Sequence, residues 1–277
     1  MFNGVRRLFR ESTPLRYHML RFLDHRLDFL QYPAKLYYST IERAWYGHCL
    51  LHAAQLARKL GYERISAIEF GVAGGDGLLA LERHAAHVTR ETGVDVATFG
   101  FDTGSGMPPP LDHRDMPYLW KAGDFAMDAV LLQTRLRSSR LLLGPVETTL
   151  CAFFEKEAPP PIGFIAFDLD YYSSTVSALK VLEADHRYFL PRVACYVDDM
   201  VGDVDWAYNE FAGELLAIKE FNEGHEHVKV APVQGLRHYL GRPPQVWHEQ
   251  IYVAHRFMHP QYNRPISGLT QLPLTAL

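Results

Sequence analysis

The sequence predicts a doubly wound α/β fold, a parallel sheet covered by helices on both faces. Three observations predict it: short apolar runs recur along the chain, segments with helical apolar spacing separate them, and the first run passes through a glycine turn directly into a helix. Parallel strands need crossovers of a dozen residues or more, usually helical, and strands buried on both faces read as continuous apolar runs.

The elements follow in order. The first thirty residues carry charge too often for a signal peptide and read as one or two amphipathic helices. A basic, aromatic helix can lie on a membrane surface, but packing on its own domain is the commoner outcome. Residues 42–60 space their apolar side chains for a helix that stops at Gly61. ISAIEF (65–70) is a strand, GVAGGDG a glycine turn, and LLALERHAAHVTRETG a helix ending near Gly93. VATFGF (96–101) is the next strand, followed by a Pro/Gly loop to about Pro117, a helix around 124–137 and the strand SRLLLG (139–144). GFIAFD (163–168) and VACYVDD (193–199) are two more strands, separated by the helix-like STVSALKVLEADH. HVKVAPV (227–233) and QVWHEQIYVAHRF (245–257) have no long helix between them and are expected to form an antiparallel pair at the sheet edge. The simplest partition is an N-terminal helical extension or lid (1–60), one domain (61–260) and an irregular tail (261–277).

Composition narrows the function. Lys+Arg 28 against Asp+Glu 32 gives a net charge of −4, without the basic footprint of a nucleic-acid binder. No apolar run approaches the roughly 20 residues of a bilayer span. Cys49, Cys151 and Cys195 are odd in number and form no CxxC, which argues against a disulfide framework or thiolate zinc and points to the reducing cytoplasm.

In open α/β sheets ligands gather beyond the carboxyl ends of the strands, and four clusters lie there. In Glu69-Phe70-Gly71-Val72-Ala73-Gly74-Gly75-Asp76-Gly77 the glycines allow a tight turn and close backbone approach of a ligand. The spacing is not GxGxxG, and Asp76 at the helix start would repel a pyrophosphate, so a nucleoside without phosphates suits it better than a dinucleotide; a ligand-free turn is the plain alternative. Asp102, 25 positions after Gly77, is a ribose-binding candidate, or else a turn-forming Asx residue. Asp168 and Asp170 follow one strand and Asp198 and Asp199 the next. Like charges crowded at neighbouring strand ends repel; a divalent cation compensates, and oxygen ligands favour Mg²⁺, Mn²⁺ or Ca²⁺. Asp170 with Ser173 and Ser174 has the alternative of capping the next helix.

Taken in order, EFGVAGGDG, FDTGSGMP, FDLDYYSSTVSALKVL and YVDD resemble motifs of class I S-adenosylmethionine (SAM)-dependent methyltransferases, and more narrowly of the macrocin O-methyltransferase (TylF-like) family of metal-dependent sugar O-methyltransferases. The resemblance spans about residues 65–202, with GDFAMDAV and GPVETTL where that family has related stretches. It departs at Gly104-Ser105, in place of a Phe-acid step, and at LPRVACYVDDM, which lacks a glycine pair and a tyrosine after the aspartates. The resemblance implies a seven-stranded Rossmann-like sheet, with Glu69, Gly71 and Gly75 at the methionine end of SAM and Asp102 on its ribose. It also implies that Asp168, Asp198 and Asp199 hold Mg²⁺ and that a hydroxyl of a sugar or glycosylated small molecule is the acceptor. Asp170 is then the first choice of general base, with Asp168 the catalytic ligand beside it; His113 and His186 rank lower. MPPPLDHRDMPYLW is long enough to cover the acceptor, and the N-terminal arm to form a lid or a homodimer contact. Two other readings stand: a metal-dependent glycosyltransferase using Asp168-Leu169-Asp170, and a non-catalytic SAM-fold binding protein. A haloacid-dehalogenase-type phosphatase is disfavoured by Tyr172, and His225-Glu226-His227 has no third zinc ligand in sequence.

Overall fold

Apolar side chains alternate with the strand period and put two cores on opposite faces of one sheet. The computed structural model describes residues 15–239 and 245–268. Helices α1 (Leu15–Leu27), α2 (Tyr32–Tyr38) and α3 (Ala44–Leu60) precede β1 (Arg64–Phe70), α4 (Asp76–Thr92) and β2 (Asp95–Asp102). Then come α5 (Ala129–Arg135), β3 (Arg140–Leu143), α6 (Val146–Glu157), β4 (Ile162–Phe167), α7 (Tyr172–Leu179) and β5 (Phe189–Val197). The chain continues through α8 (Gly213–Gly224), β6 (Val228–Pro232), α9 (Leu236–Tyr239) and β7 (Ile251–Arg256). The sheet order is β3-β2-β1-β4-β5-β7-β6, with β7 antiparallel to both its neighbours. This is the doubly wound, seven-stranded sheet expected from the sequence, with the antiparallel edge pair where the sequence placed it.

One core, containing Tyr46, Leu50, Ala54 and Leu78, packs α3 and α4 against the sheet; the other, containing Phe70, Phe153, Leu179 and Phe221, packs α6, α7 and α8 against the opposite face. Thus α3, within the segment read as an extension, is one of the layers covering the sheet. At the arm, Asp24 joins α1 to α2 by accepting from Lys35 Nζ at 2.7 Å and Thr40 Oγ1 at 2.6 Å. Residues 1–14, the first half of the predicted amphipathic arm, and 269–277 of the predicted tail lie outside the described residues. No described helix is long and apolar enough to cross a membrane.

Several boundaries differ from the sequence reading. The helix expected around 124–137 is only Ala129–Arg135, because Gly123 and Phe125 turn the chain with positive φ and Asp128 caps the helix from Leu131 N at 2.9 Å. The helix read through STVSALKVLEADH tightens after Leu179 into a 3₁₀ turn at Lys180–Glu183. Residues Val246–His248 of the segment read as strand form a 3₁₀ turn, so β7 begins at Ile251. Helices α6 and α8 had no counterpart in that reading. The described buried anchors of α6 are only Leu150 and Phe153, too few for a clear period, whereas Ala217, Ile218 and Phe221 of α8 do carry a helical pattern.

A buried polar network ties the arm to the sheet layers. His84 of α4 faces the Tyr32 hydroxyl at Nδ1 (3.0 Å), and its Nε2 faces the carbonyls of Glu42 (2.9 Å) and Arg43 (3.1 Å). Burial lowers its pKa to about 4, with the two carbonyls opposing and the charges of His87 and Arg83 assisting. The unfolded chain, with a histidine near 6.5, therefore binds more protons between about pH 4 and 6.5, and stability falls as pH drops through that window by about 3 kcal/mol from this residue. Urea unfolding across that range is expected to show a shallower pH slope for His84→Gln than for the native chain; identical slopes would refute this assignment.

Candidate active site

Register places the site. Phe70 of β1 pairs with Phe101 of β2 and with Phe167 of β4, and Phe167 pairs with Val197 of β5. The next residue on each strand is therefore Gly71, Asp102, Asp168 or Asp198, in a row along the carboxyl edge with neighbours one strand spacing, about 4.8 Å, apart. The residues flagged from sequence reach this edge because parallel strands all end on the same side.

Asp102 clamps the glycine turn. Its Oδ2 accepts from Val72 N and Ala73 N, both at 2.9 Å, and its Oδ1 from Gly104 N at 2.7 Å, which is also the Asx turn anticipated as its alternative. Gly71, at φ +86°, passes so close to β4 that a Cβ would sit 1.7 Å from the Asp168 carbonyl oxygen. At Gly77 a Cβ would sit 1.8 Å from Glu69 Oε1, so this glycine makes room for a buried carboxylate. Gly75, at φ +92°, starts α4 against Leu132 of α5.

Glu69 is 1% exposed; Tyr46 Oη donates to its Oε1 at 2.7 Å, while its Oε2 has no hydrogen-bond partner among the described residues. Burial pushes its pKa up to about 7 against the opposing effects of Tyr46 and Arg43. An unpartnered buried carboxylate oxygen costs free energy, and a cationic ligand group satisfies it.

On the β4/β5 side, Asp168, Asp198 and Asp199 offer oxygens that all lie within 4.8 Å of one another. Asp199 is buried, accepting from Tyr208 Oη at 2.5 Å and from Asp170 N at 3.2 Å. Asp198 Oδ1 accepts from Tyr196 Oη. Asp170, at φ +60°, lies beside this trio and not within it. Burial and the neighbouring carboxylates Asp198, Glu69 and Asp199 hold the Asp168 carboxyl well above its ordinary range; burial, then Asp199 and Asp198, push Asp170 up to about 8. Burial raises Asp199 to about 6 against the Tyr208 hydrogen bond. These carboxylates repel one another, and the hard, all-oxygen set fits a Mg²⁺-like cation.

The proposed residues share one cavity of about 630 Å³, within the usual range for small-ligand sites. Eight acidic side chains line it and, among the described residues, Arg43 is its one cation. Trp120, Phe125 and Trp206 cluster at its mouth, with ring centroids 5.6 and 6.2 Å from Trp120. A hydrogen bond from Tyr118 Oη to the Trp206 carbonyl, 3.1 Å, ties the two mouth loops together.

Sequence reasoning missed several participants. Glu214, fully buried in the first turn of α8, accepts from Asp199 N at 3.1 Å and Leu169 N at 3.3 Å, bridging both acidic strand ends from beneath. Burial and Asp199 raise its pKa strongly. The signal available was an acid opening an apolar-patterned helix. Tyr208 supplies a hydroxyl to Asp199 from nine positions downstream. The cap considered for Asp170 is made by Asp115, which accepts from Ser173 N at 2.8 Å and Ser173 Oγ at 3.0 Å and so fastens the proline-rich loop to α7. Neither His113 nor His186 lines the cavity. His186 precedes β5 and therefore sits at the opposite edge, 5.8 Å from the His259 ring. His225 closes α8 against the Phe221 carbonyl at 2.8 Å, also before a strand.

No family model and no curated protein matches the chain. Among solved structures it is similar to the calicheamicin methyltransferase CalS11, at 19% identity and TM-score 0.49 over 92% of this chain and 90% of that one. It is also similar to the O-methyltransferase NovP, at 15% identity and TM-score 0.46 over 64% and 71% of the two chains. A third is the MycE methyltransferase from the mycinamycin pathway, solved with Mg, SAH and mycinamycin VI, at 13% identity and TM-score 0.37 over 76% and 50%.

Proposed function

We propose that this chain is a SAM- and Mg²⁺-dependent O-methyltransferase that acts on a hydroxyl of a sugar or glycosylated small molecule. The observation that carries the reading is the joining, in one cavity, of a glycine turn clamped by Asp102 to a carboxylate trio on the neighbouring strands. The first half suits a nucleoside and the second a hard cation, and metal-assisted methyl transfer to a weakly acidic hydroxyl uses both side by side.

Methyl transfer is an in-line displacement, so the acceptor oxygen must be held behind the methyl carbon and lose its proton. Glu69, Gly71 and Gly75 would receive the methionine end of SAM, and Asp102 the ribose. Asp168, Asp198 and Asp199 would hold the cation, which when bound lowers the pKa of an acceptor hydroxyl and orients it. Asp170 is the proposed base: it lines the cavity, and its backbone N–H is tied to Asp199, fixing it beside the trio. Trp120, Phe125 and Trp206 give the acceptor flat apolar surfaces and exclude water from the transfer.

Isothermal titration with SAM, with and without Mg²⁺, tests the reading, with NAD and UDP-glucose as controls. SAM is expected to bind, and Asp102→Ala to weaken it about tenfold or more, because the glycine turn loses its clamp as well as the ribose its partner. Absence of SAM binding, together with Mg²⁺-dependent UDP-glucose binding, would overturn it in favour of a glycosyltransferase.

A further inference from the structure

A helix on the surface of a domain ordinarily turns its apolar stripe to the core and its polar side to water. Helix α1 does the reverse. Its buried side chains are Tyr17 and Asp24, the latter 2% exposed, whereas Phe22 (61% exposed) and Leu27 (68%) stand in water with Met19, Leu23 and, just past the helix, Phe29. Met19, Phe22, Leu23 and Arg26 recur at i, i+3, i+4 and i+7 and so share one face, and the Arg26 guanidinium lies 5.2 Å from the centre of the Phe22 ring.

Polar bonds hold the helix this way round. Asp24 accepts from Leu30 N at 2.9 Å as well as from Lys35 and Thr40, and Arg21 Nε donates to the Tyr38 carbonyl at 2.9 Å. Rolling α1 to bury its apolar face would break all of these bonds. The outcome that is commoner for such an arm, packing of the apolar face on its own domain, is therefore not the one seen. Large apolar side chains gathered on one short segment, unlike single ones scattered over a surface, mark a place where something docks.

Charge says what docks. Residues 1–40 hold seven Lys and Arg against three Asp and Glu, a net +4, while the remaining 21 and 29 leave the rest of the chain at −8. Two of the three acids of the arm, Asp24 and Asp28, are paired with Lys35 at 2.7 and 2.8 Å. A second copy is a poor cover, because a two-fold contact would set Arg26 and a cationic arm against their own like. One face of a 13-residue helix, about 20 Å by about 10 Å, also has a footprint of only about 200 Å², against the roughly 800 Å² per partner of a stable interface. Apolar side chains beside a cationic head are what an anionic lipid surface takes up.

We infer that α1 is a membrane-surface anchor, lying in the plane of an anionic bilayer with Met19, Phe22, Leu23 and Leu27 at the top of the acyl chains and Arg26 on the headgroups. The inference stands apart from the methyltransferase reading and needs neither SAM nor Mg²⁺.

The test is sedimentation of the full chain with vesicles of phosphatidylcholine, alone or mixed in equal parts with phosphatidylglycerol. The native protein is expected to bind the anionic vesicles at least about tenfold more tightly than the neutral ones, and to lose that preference as NaCl rises and screens the headgroups. Phe22→Ser/Leu27→Ser should weaken binding about tenfold or more, and Arg26→Gln about fivefold, the worth of one cation near such a surface. Without lipid, both variants should melt with the native protein, because the altered side chains are exposed. No binding to anionic vesicles, equal binding to both kinds, or binding that Phe22→Ser/Leu27→Ser leaves intact would overturn the inference. A native dimer in sedimentation velocity that the double substitution splits would overturn it in favour of a second copy. A lowered Tm or loss of folding in the double variant without lipid would overturn it in favour of a cover within the chain, such as residues 1–14.

Discussion

Replacing Asp199 by asparagine is expected to reduce methyl transfer about 10³-fold, because metal-based stabilisation of a reacting oxygen is worth several kcal/mol and each 1.4 kcal/mol is a factor of ten. Asparagine preserves the shape: its oxygen can accept from Asp170 N and its amide can donate to Tyr208 Oη, the two partners the carboxylate has now. What it removes is one negative charge from the trio. The independent readout is thermal unfolding. In the native protein Mg²⁺ at about a hundredfold excess over its Kd should add about 2.7 kcal/mol and raise Tm by about 5 °C, reversed by chelation. Asp199→Asn should lose that rise without melting earlier in chelator. Asp170→Asn should lose turnover and keep the rise, since Asp170 is proposed as base and not as ligand. A cation-induced rise that persists in Asp199→Asn would refute the metal assignment.

Gly71→Ala is expected to destabilise the fold by about 3 kcal/mol and to abolish activity in whatever remains folded. The new Cβ would meet a backbone carbonyl, Asp168 O, at 1.7 Å, in a residue whose φ of +86° already disfavours any side chain. Neither strand can step aside cheaply, because Gly71 N donates to Phe101 O and Asp168 N to Phe70 O, both at 3.0 Å. The cost combines about 1 kcal/mol of backbone strain with the 1–3 kcal/mol typical of overpacking. Gly74→Ala is the control: a Cβ there meets nothing within 4 Å and faces the cavity. Chemical denaturation should leave Gly74→Ala within about 0.5 kcal/mol of the native chain. Equal stability of the two variants would contradict the close approach described here.

The residues legible in the sequence share one property: each lies at or shortly beyond the carboxyl end of a strand. Asp102 closes β2 and Asp168 and Asp198 follow β4 and β5, and a parallel sheet brings such residues to one edge whatever else the chain does. Local pattern was therefore enough to find them. Arg43, Tyr46, Tyr208 and Glu214 follow no strand. Arg43 and Tyr46 belong to the α2–α3 turn and to α3; Arg43 lines the cavity and Tyr46 reaches its Glu69 from the core because α3 packs across β4 and β5. Glu214 reads locally as an exposed acid in the first turn of a helix; its complete burial is decided by α8 closing over the ends of β4 and β5. The same logic covers His186 and His225, whose residue type was suggestive but whose position before a strand puts them at the wrong edge.

By itself, then, the sequence determined the alternating layers, the strand ends that carry acids and the turn that needs glycine, because periodicity, chain direction and positive φ are local properties of neighbouring residues. Only the tertiary structure decided which oxygen of Glu69 lacks a partner, which acid caps α7 and which cation faces eight carboxylates, because each depends on side chains brought together from distant segments by the packing of helices on the sheet.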